Sequence, residues 1–188
     1  MKILGIDPGT NILGFGIIEQ KGNQFIHIDH GILKLDKLDT YEKLSTIFID
    51  IQAIIKKFKI DEVAIEAPFF GENAQSMLKL GRAQGVAIAA SAMLKLPVTE
   101  YAPKKIKLSL TGKGYSSKEQ VAQMVKQLLS LKRLPETLDA SDALAIAITH
   151  CMQNKLTIKG ESQPIKAKKK SKGGDWSSFI KNNPDRLG

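Results

Sequence analysis

The chain has 188 residues, enough for one substantial core, and 43% of them are apolar, which excludes a mostly disordered polymer. No stretch approaches the roughly 20 uninterrupted apolar residues of a membrane span, and MKILGID leads into a strand pattern rather than a secretion signal, so a cytoplasmic protein with no membrane association is expected. Lys and Arg number 28 against 19 acids, a net charge of +9, yet nine basic and three acidic residues between 153 and 188 carry six of those charges, so the excess belongs to the C-terminal stretch.

In chain order, Ile3 to Ile6 is a short apolar run that stops at Asp7-Pro8-Gly9-Thr10, where Pro and Gly enforce a turn. Gly14 to Glu19 and Phe25 to Leu35 read as two further strands joined at Lys21-Gly22-Asn23, which makes an antiparallel meander. Leu44, Ile47, Phe48, Ile51, Ile54, Ile55 and Phe58 recur at three- and four-residue steps and predict an amphipathic helix over 41–58. Glu62 to Glu66 is a strand whose apolar centre ends at Glu66, just ahead of Pro68.

A long helix is expected over 73–96, with Gly81, Gly85 and Ala89 in one four-residue register that permits close backbone approach, either to the protein's own sheet or to a second helix. Val98 to Tyr101 reads as a strand and Pro103 to Leu110 as a short helix. Ser116-Ser117-Lys118-Glu119 matches a capping box ahead of a helix carrying Val121, Met124, Val125 and Leu128 on one face. A last apolar helix starts near Leu138 and is expected to end about His150, with the lone Cys151 as inert packing. His150 lies two turns beyond Asp142, about 12 Å by helical rise, and so reads as a packed residue rather than a ligand. The order of elements suits an α/β fold in which a right-handed crossover joins the meander to the Glu62–Glu66 strand. Residues 1–154 are expected to form the domain. Residues 155–188, with their KAKKKSKGG run, are expected to be a flexible basic tail, with one docking turn possible at Trp176, Phe179 and Ile180.

Four carboxylates stand apart because each lies against an apolar run. Asp7 and Glu66 both end buried strands at the edge where open α/β sheets place ligands. If the strands are parallel neighbours, about 4.8 Å apart, the two side chains converge. Asp139 and Asp142 are three apart on one helix, roughly 5 to 6 Å between Cβ atoms, and complete the set from a rigid element. With no cationic partner evident in the sequence, such a cluster repels itself unless divalent ions neutralise it, and all-oxygen ligation selects Mg²⁺, with Mn²⁺ as the substitute. Two such ions, about 3.5 to 4 Å apart, suit phosphodiester hydrolysis. Taken singly, Asp7 also fits a turn before Pro8, and Asp139 and Asp142 fit helix-start acids. Glu66 has no such role to play.

These residues resemble the RuvC family of Holliday-junction endonucleases, which have a ribonuclease-H-like fold. The resemblance runs from Lys2 to about Gln153 and rests on ILGIDPGT at 3–10, VAIEAPFFGENAQSMLKLGRAQGVAI at 63–88 and DASDALAIAITHC at 139–151. It implies a mixed sheet flanked by helices in a single domain. It also implies that Asp7, Glu66, Asp139 and Asp142 are metal ligands, that Phe69, with Phe70 beside it, inserts at the junction centre, and that Lys107 and Lys118 handle DNA. The helix of Gly81, Gly85 and Ala89 is implied as a dimerisation element, four-way junction DNA as substrate, and branch-migration proteins as partners. Glu72 and the Lys-rich tail depart from the family's pattern. An actin-like ATPase needs a second Gly-rich hairpin that this chain lacks, and a scaffold that had lost catalysis would have lost acids that are all kept here. A metal-dependent nuclease of another substrate shape stays open on the residues alone.

Overall fold

The structure is a computed structural model that describes residues 1–68 and 73–159, with side chains to Asn154. Residues 1–155 form one compact unit. Its centre is a five-stranded mixed sheet built from β1 (Lys2–Asp7), β2 (Ile12–Lys21), β3 (Gln24–Lys34), β4 (Glu62–Glu66) and β5 (Val98–Tyr101), in the order β3-β2-β1-β4-β5. The first three strands are the expected meander, closed by Gly22 at φ 57, a left-handed turn position that suits glycine. β1 and β4 are parallel neighbours with Ile6 beside Ile65, and β5 continues the parallel side with Tyr101 beside Glu66.

Strand alternation divides the interior in two. Leu4, Ile6, Val63 and Ile65 point to one face, where they pack with Ile47, Ile51 and Ile55 of α1 (Thr40–Phe58) and Ala83, Ala87 and Ala90 of α2 (Ala74–Met93). Ile3, Ile18 and Ala64 point to the other face. There they meet Ile106 and Leu110 of α3 (Pro103–Thr111), Val121 and Val125 of α4 (Lys118–Leu128), and the apolar run Leu144 to Ile148 of α5 (Leu138–Lys159). By the same alternation Gly5, Asp7 and Glu66 face α5.

Helix boundaries follow local capping. α1 begins at a capping box in which Asp39 and Glu42 satisfy each other's backbone N–H groups. The box that opens α4 lies one residue later than the sequence reading, with Ser117 and Gln120 rather than Ser116 and Glu119. Ser116 is buried instead and hydrogen bonds Thr111 and the Lys113 carbonyl. α2 ends at Met93, short of the expected Leu96, because Lys95 turns into the left-handed region at φ 59. α5 runs on to Lys159, well past His150 and past Asn154. Phe69, Phe70, Glu72 and the tail from residue 160, with its Lys-rich run and Trp176, lie outside the described residues.

Gly81 and Gly85 do not lie against the protein's own sheet. A Cβ at either would meet no described residue within 4 Å, while the buried face of α2 is Ala83, Gln84, Ala87, Ala90 and Ser91. The reading in which this register packs on the sheet therefore fails.

Candidate metal centre

The carboxylates meet because strand register and a close helix approach act together. Asp7 and Glu66 each follow the paired residues Ile6 and Ile65, so they end adjacent parallel strands on the same face. α5 reaches them by lying almost on the backbone of β1 and β2. A Cβ at Gly5 would fall 2.0 Å from the Ala143 carbonyl oxygen, one at Gly14 2.1 Å from that of Asp139, and one at Gly16 2.7 Å from the Leu144 nitrogen. Gly14 stands directly across from Asp7. Three strand glycines thus clear a seat for α5, and the first two turns of that helix carry Asp139 and Asp142 towards the end of β1. Glycine within a strand signals such an approach, and this was the cue in the sequence that pattern reading passed over.

Asp7, Glu66 and Asp142 line one cleft of about 70 Å³ together with Ile106, Lys107, Lys118 and Val121. Asp139 is not among the residues lining it, although its charge is felt at Asp7. Burial pushes the Asp7 carboxyl from 3.8 up to about 8, with the charges of Glu66, Asp142 and Asp139 adding to the shift and Lys118 opposing it. Glu66 is pushed from 4.5 to about 7, again by burial first and Asp142 second, against Lys118 and Lys107. Burial and the neighbouring carboxylates together outweigh Lys118 and Lys107, so both carboxyls hold their protons more tightly than free acids do.

A cationic partner does exist, contrary to the expectation from sequence. Lys118, the first residue of α4, donates from Nζ to Asp142 Oδ2 at 2.8 Å. That hydrogen bond is the main cause of the raised pKa of Lys118. Among the described residues no three His, Cys, Asp or Glu side chains close round a common point as a finished metal centre. What the cleft offers is an all-oxygen donor set with one member, Asp142, held by a lysine. Among the described residues no thiol or imidazole lines it, so its chemistry fits a hard divalent ion rather than zinc or copper.

His150 serves structure. Its Nδ1 lies 2.8 Å from the Tyr101 hydroxyl and its Nε2 2.6 Å from Glu62 Oε2, which also accepts from Asn154 Nδ2 at 3.0 Å. This buried network ties α5 to the start of β4 and to β5, and so holds the helix in the register that aims Asp142 at the cleft. Cys151 beside it is fully buried.

Comparison with known proteins agrees with the residues. The family profile described as "Crossover junction endodeoxyribonuclease RuvC" matches residues 3–150. The crossover junction endodeoxyribonuclease RuvC of Cytophaga hutchinsonii is 53% identical over 186 residues, covering 98% of this chain and 87% of that protein. Among solved structures, Thermus thermophilus RuvC superposes with a TM-score of 0.76 at 32% identity, over 83% of this chain and 96% of that one. The same protein in complex with a Holliday junction substrate gives 0.77 at 30% identity, over 84% and 97%.

Proposed function

The chain belongs to the RuvC family of crossover junction endodeoxyribonucleases, and on that premise we propose that it resolves four-way DNA junctions by paired phosphodiester hydrolysis at the cleft of Asp7, Glu66 and Asp142, with Asp139 completing the set. The observation that carries this reading is the pairing of Asp7 and Glu66 on adjacent parallel strand ends, with both carboxyls pushed up by burial and by like charge. Such a site gains by taking up cations. The ligands would hold Mg²⁺, or Mn²⁺ in its place, as a pair of ions that supplies an activated water and stabilises the leaving oxygen.

The remaining roles fall to the chain's own residues. Lys118 covers Asp142 in the resting protein and turns to a phosphate of the incoming strand when that carboxylate is engaged. Lys107, on the wall of the same cleft, lends a second positive charge to the substrate backbone. Phe69 and Phe70 follow Glu66 closely in sequence, where an aromatic can wedge between base pairs at the junction centre. The basic stretch 155–188 adds phosphate contacts without base preference.

A symmetric junction calls for two coordinated sites, and the outward register of Gly81, Gly85 and Ala89, with exposed Met93 continuing it and exposed Leu78 beside it, offers a face for a C₂ homodimer. The test is incubation of the protein with a labelled four-way junction and a matching linear duplex, with and without Mg²⁺. Paired nicks confined to the junction and to the Mg²⁺ lanes support the reading. Equal cutting of the duplex, or cutting in a chelator, contradicts it.

A further inference from the structure

An acidic cleft repels the backbone it has to cut, so the strand must be held by cations to its sides. Lys107 and Lys118 stand on the α3 and α4 side. On the other face of the sheet, the turn Gly9–Asn11 that follows Asp7 meets α1 and α2 around a second cavity of about 420 Å³. Its charged lining is Lys43, Lys79, Arg82 and Asp39, with hydroxyls from Thr10 and Ser76.

The four charges are not equally free. Lys43 Nζ donates to the Thr10 carbonyl at 3.1 Å and to Asn11 Oδ1 at 3.0 Å, so it braces the turn. Asp39 is turned back onto α1, where its carboxylate accepts the Glu42 N–H at 2.9 Å. Lys79 and Arg82 are exposed and form no ion pair among the described residues. The cavity therefore presents two uncommitted cations, one on a guanidinium fork suited to phosphate, beside hydroxyl donors and a single engaged acid. From Asp7 to Thr10 is three residues, at most about 10 Å of chain, or about three steps of a nucleic-acid strand at 3.4 Å each.

We propose that this cavity is a second phosphodiester site, in which Lys79 and Arg82 hold a backbone phosphate of the strand that passes over the acidic cleft, a few nucleotides from the cut. Together with Lys107 and Lys118 it brackets the cleft with positive charge on both faces of the sheet edge. The inference rests on the junction-nuclease reading and adds to it a place where the strand is gripped. Free phosphate and a strand phosphate share this chemistry, and the site is assigned to the strand because the turn Gly9–Asn11 that lines it follows Asp7 directly in the chain.

The experiment uses the full chain with Lys79→Ala and Arg82→Ala combined, checked for a wild-type melting temperature and sedimentation coefficient. Junction affinity is measured in EDTA across a salt series. The variant is expected to bind at least about threefold more weakly and to flatten the log–log salt slope by about one, since each neutralised phosphate contributes about 0.9. Junctions carrying a single neutral methylphosphonate linkage then locate the contact. One position within a few nucleotides of the cut should weaken the wild type and leave the double variant indifferent. An unaltered slope, or methylphosphonate effects of equal size in both proteins, overturns the proposal while wild-type cutting stands. Failure of the wild type to cut junctions at all would instead strike the reading of the acidic cleft. Inorganic phosphate is the control ligand: saturable binding lost in the double variant, with junction affinity unchanged, would make this a small-anion site and would also overturn it.

Discussion

Replacing Asp7 by Asn should make the protein more stable and inactive at once. In the folded chain the Asp7 carboxyl is pushed from 3.8 to about 8. Between those two values the native state keeps a proton that the unfolded chain has released, so stability contributed by the protonated group is complete below about pH 4 and drains away as pH rises towards 8. At about 1.4 kcal/mol per pH unit the native state has lost about 4 kcal/mol by pH 7. Asn removes the titration but still buries an amide, so a net gain of about 2 to 3 kcal/mol is expected, or about 5 to 10 °C in melting temperature for a unit of this size. The assay is thermal unfolding of both proteins in EDTA at pH 4, 5.5, 7 and 8. The advantage of Asp7→Asn should be absent at pH 4 and should grow steadily with pH. Millimolar Mg²⁺ should raise the melting temperature of the wild type more than that of the variant. Junction cleavage by the variant should fall at least about a hundredfold. Identical melting curves at every pH would refute the account of a carboxyl held protonated by burial and by its acidic neighbours.

Gly5→Ala should cost about 3 kcal/mol or more in urea unfolding, because its Cβ would fall 2.0 Å from a helix carbonyl and displace α5 from its seat. At Gly85, by contrast, a Cβ meets no described residue within 4 Å, so Gly85→Leu should leave the melting temperature within a few degrees of wild type while shifting sedimentation from dimer to monomer. His150→Ala strips partners from Tyr101 and Glu62 and should destabilise by about 2 to 4 kcal/mol, with cleavage at low temperature lowered no more than several-fold, since His150 steadies the register of α5 but is not among the residues lining the cleft.

Much of this arrangement was legible in the sequence, for local reasons. Asp7 and Glu66 stand out because a carboxylate closing an apolar run has no local job, and α1 stands out because its apolar period is unbroken over more than four turns. The strand Val98–Tyr101 is bounded by Pro97 on one side and Pro103 beyond the other, and its limits match the structure. Apart from the capping box read one residue early and the ends of α2 and α5, what the sequence left unread involves partners distant in the chain. Whether Gly81 and Gly85 face the sheet or solvent depends on which face of α2 meets α1, and the helix's own pattern of alanines and glycines is too uniform to say. Lys118 could not be matched to the acidic cluster because its partner, Asp142, lies 24 residues on. The seat for α5 is written in Gly5, Gly14 and Gly16, which belong to two strands and only line up once those strands pair.

The central claim is that the acidic cleft is a divalent-metal site, and anomalous diffraction from crystals soaked in Mn²⁺ tests it most directly. The account predicts an anomalous peak within bonding distance of both Asp7 and Glu66 carboxylates, with Lys118 withdrawn from Asp142, and loss of that peak in Asp7→Asn. Absence of any peak at millimolar Mn²⁺, or a peak seated away from Asp7 and Glu66, would contradict it.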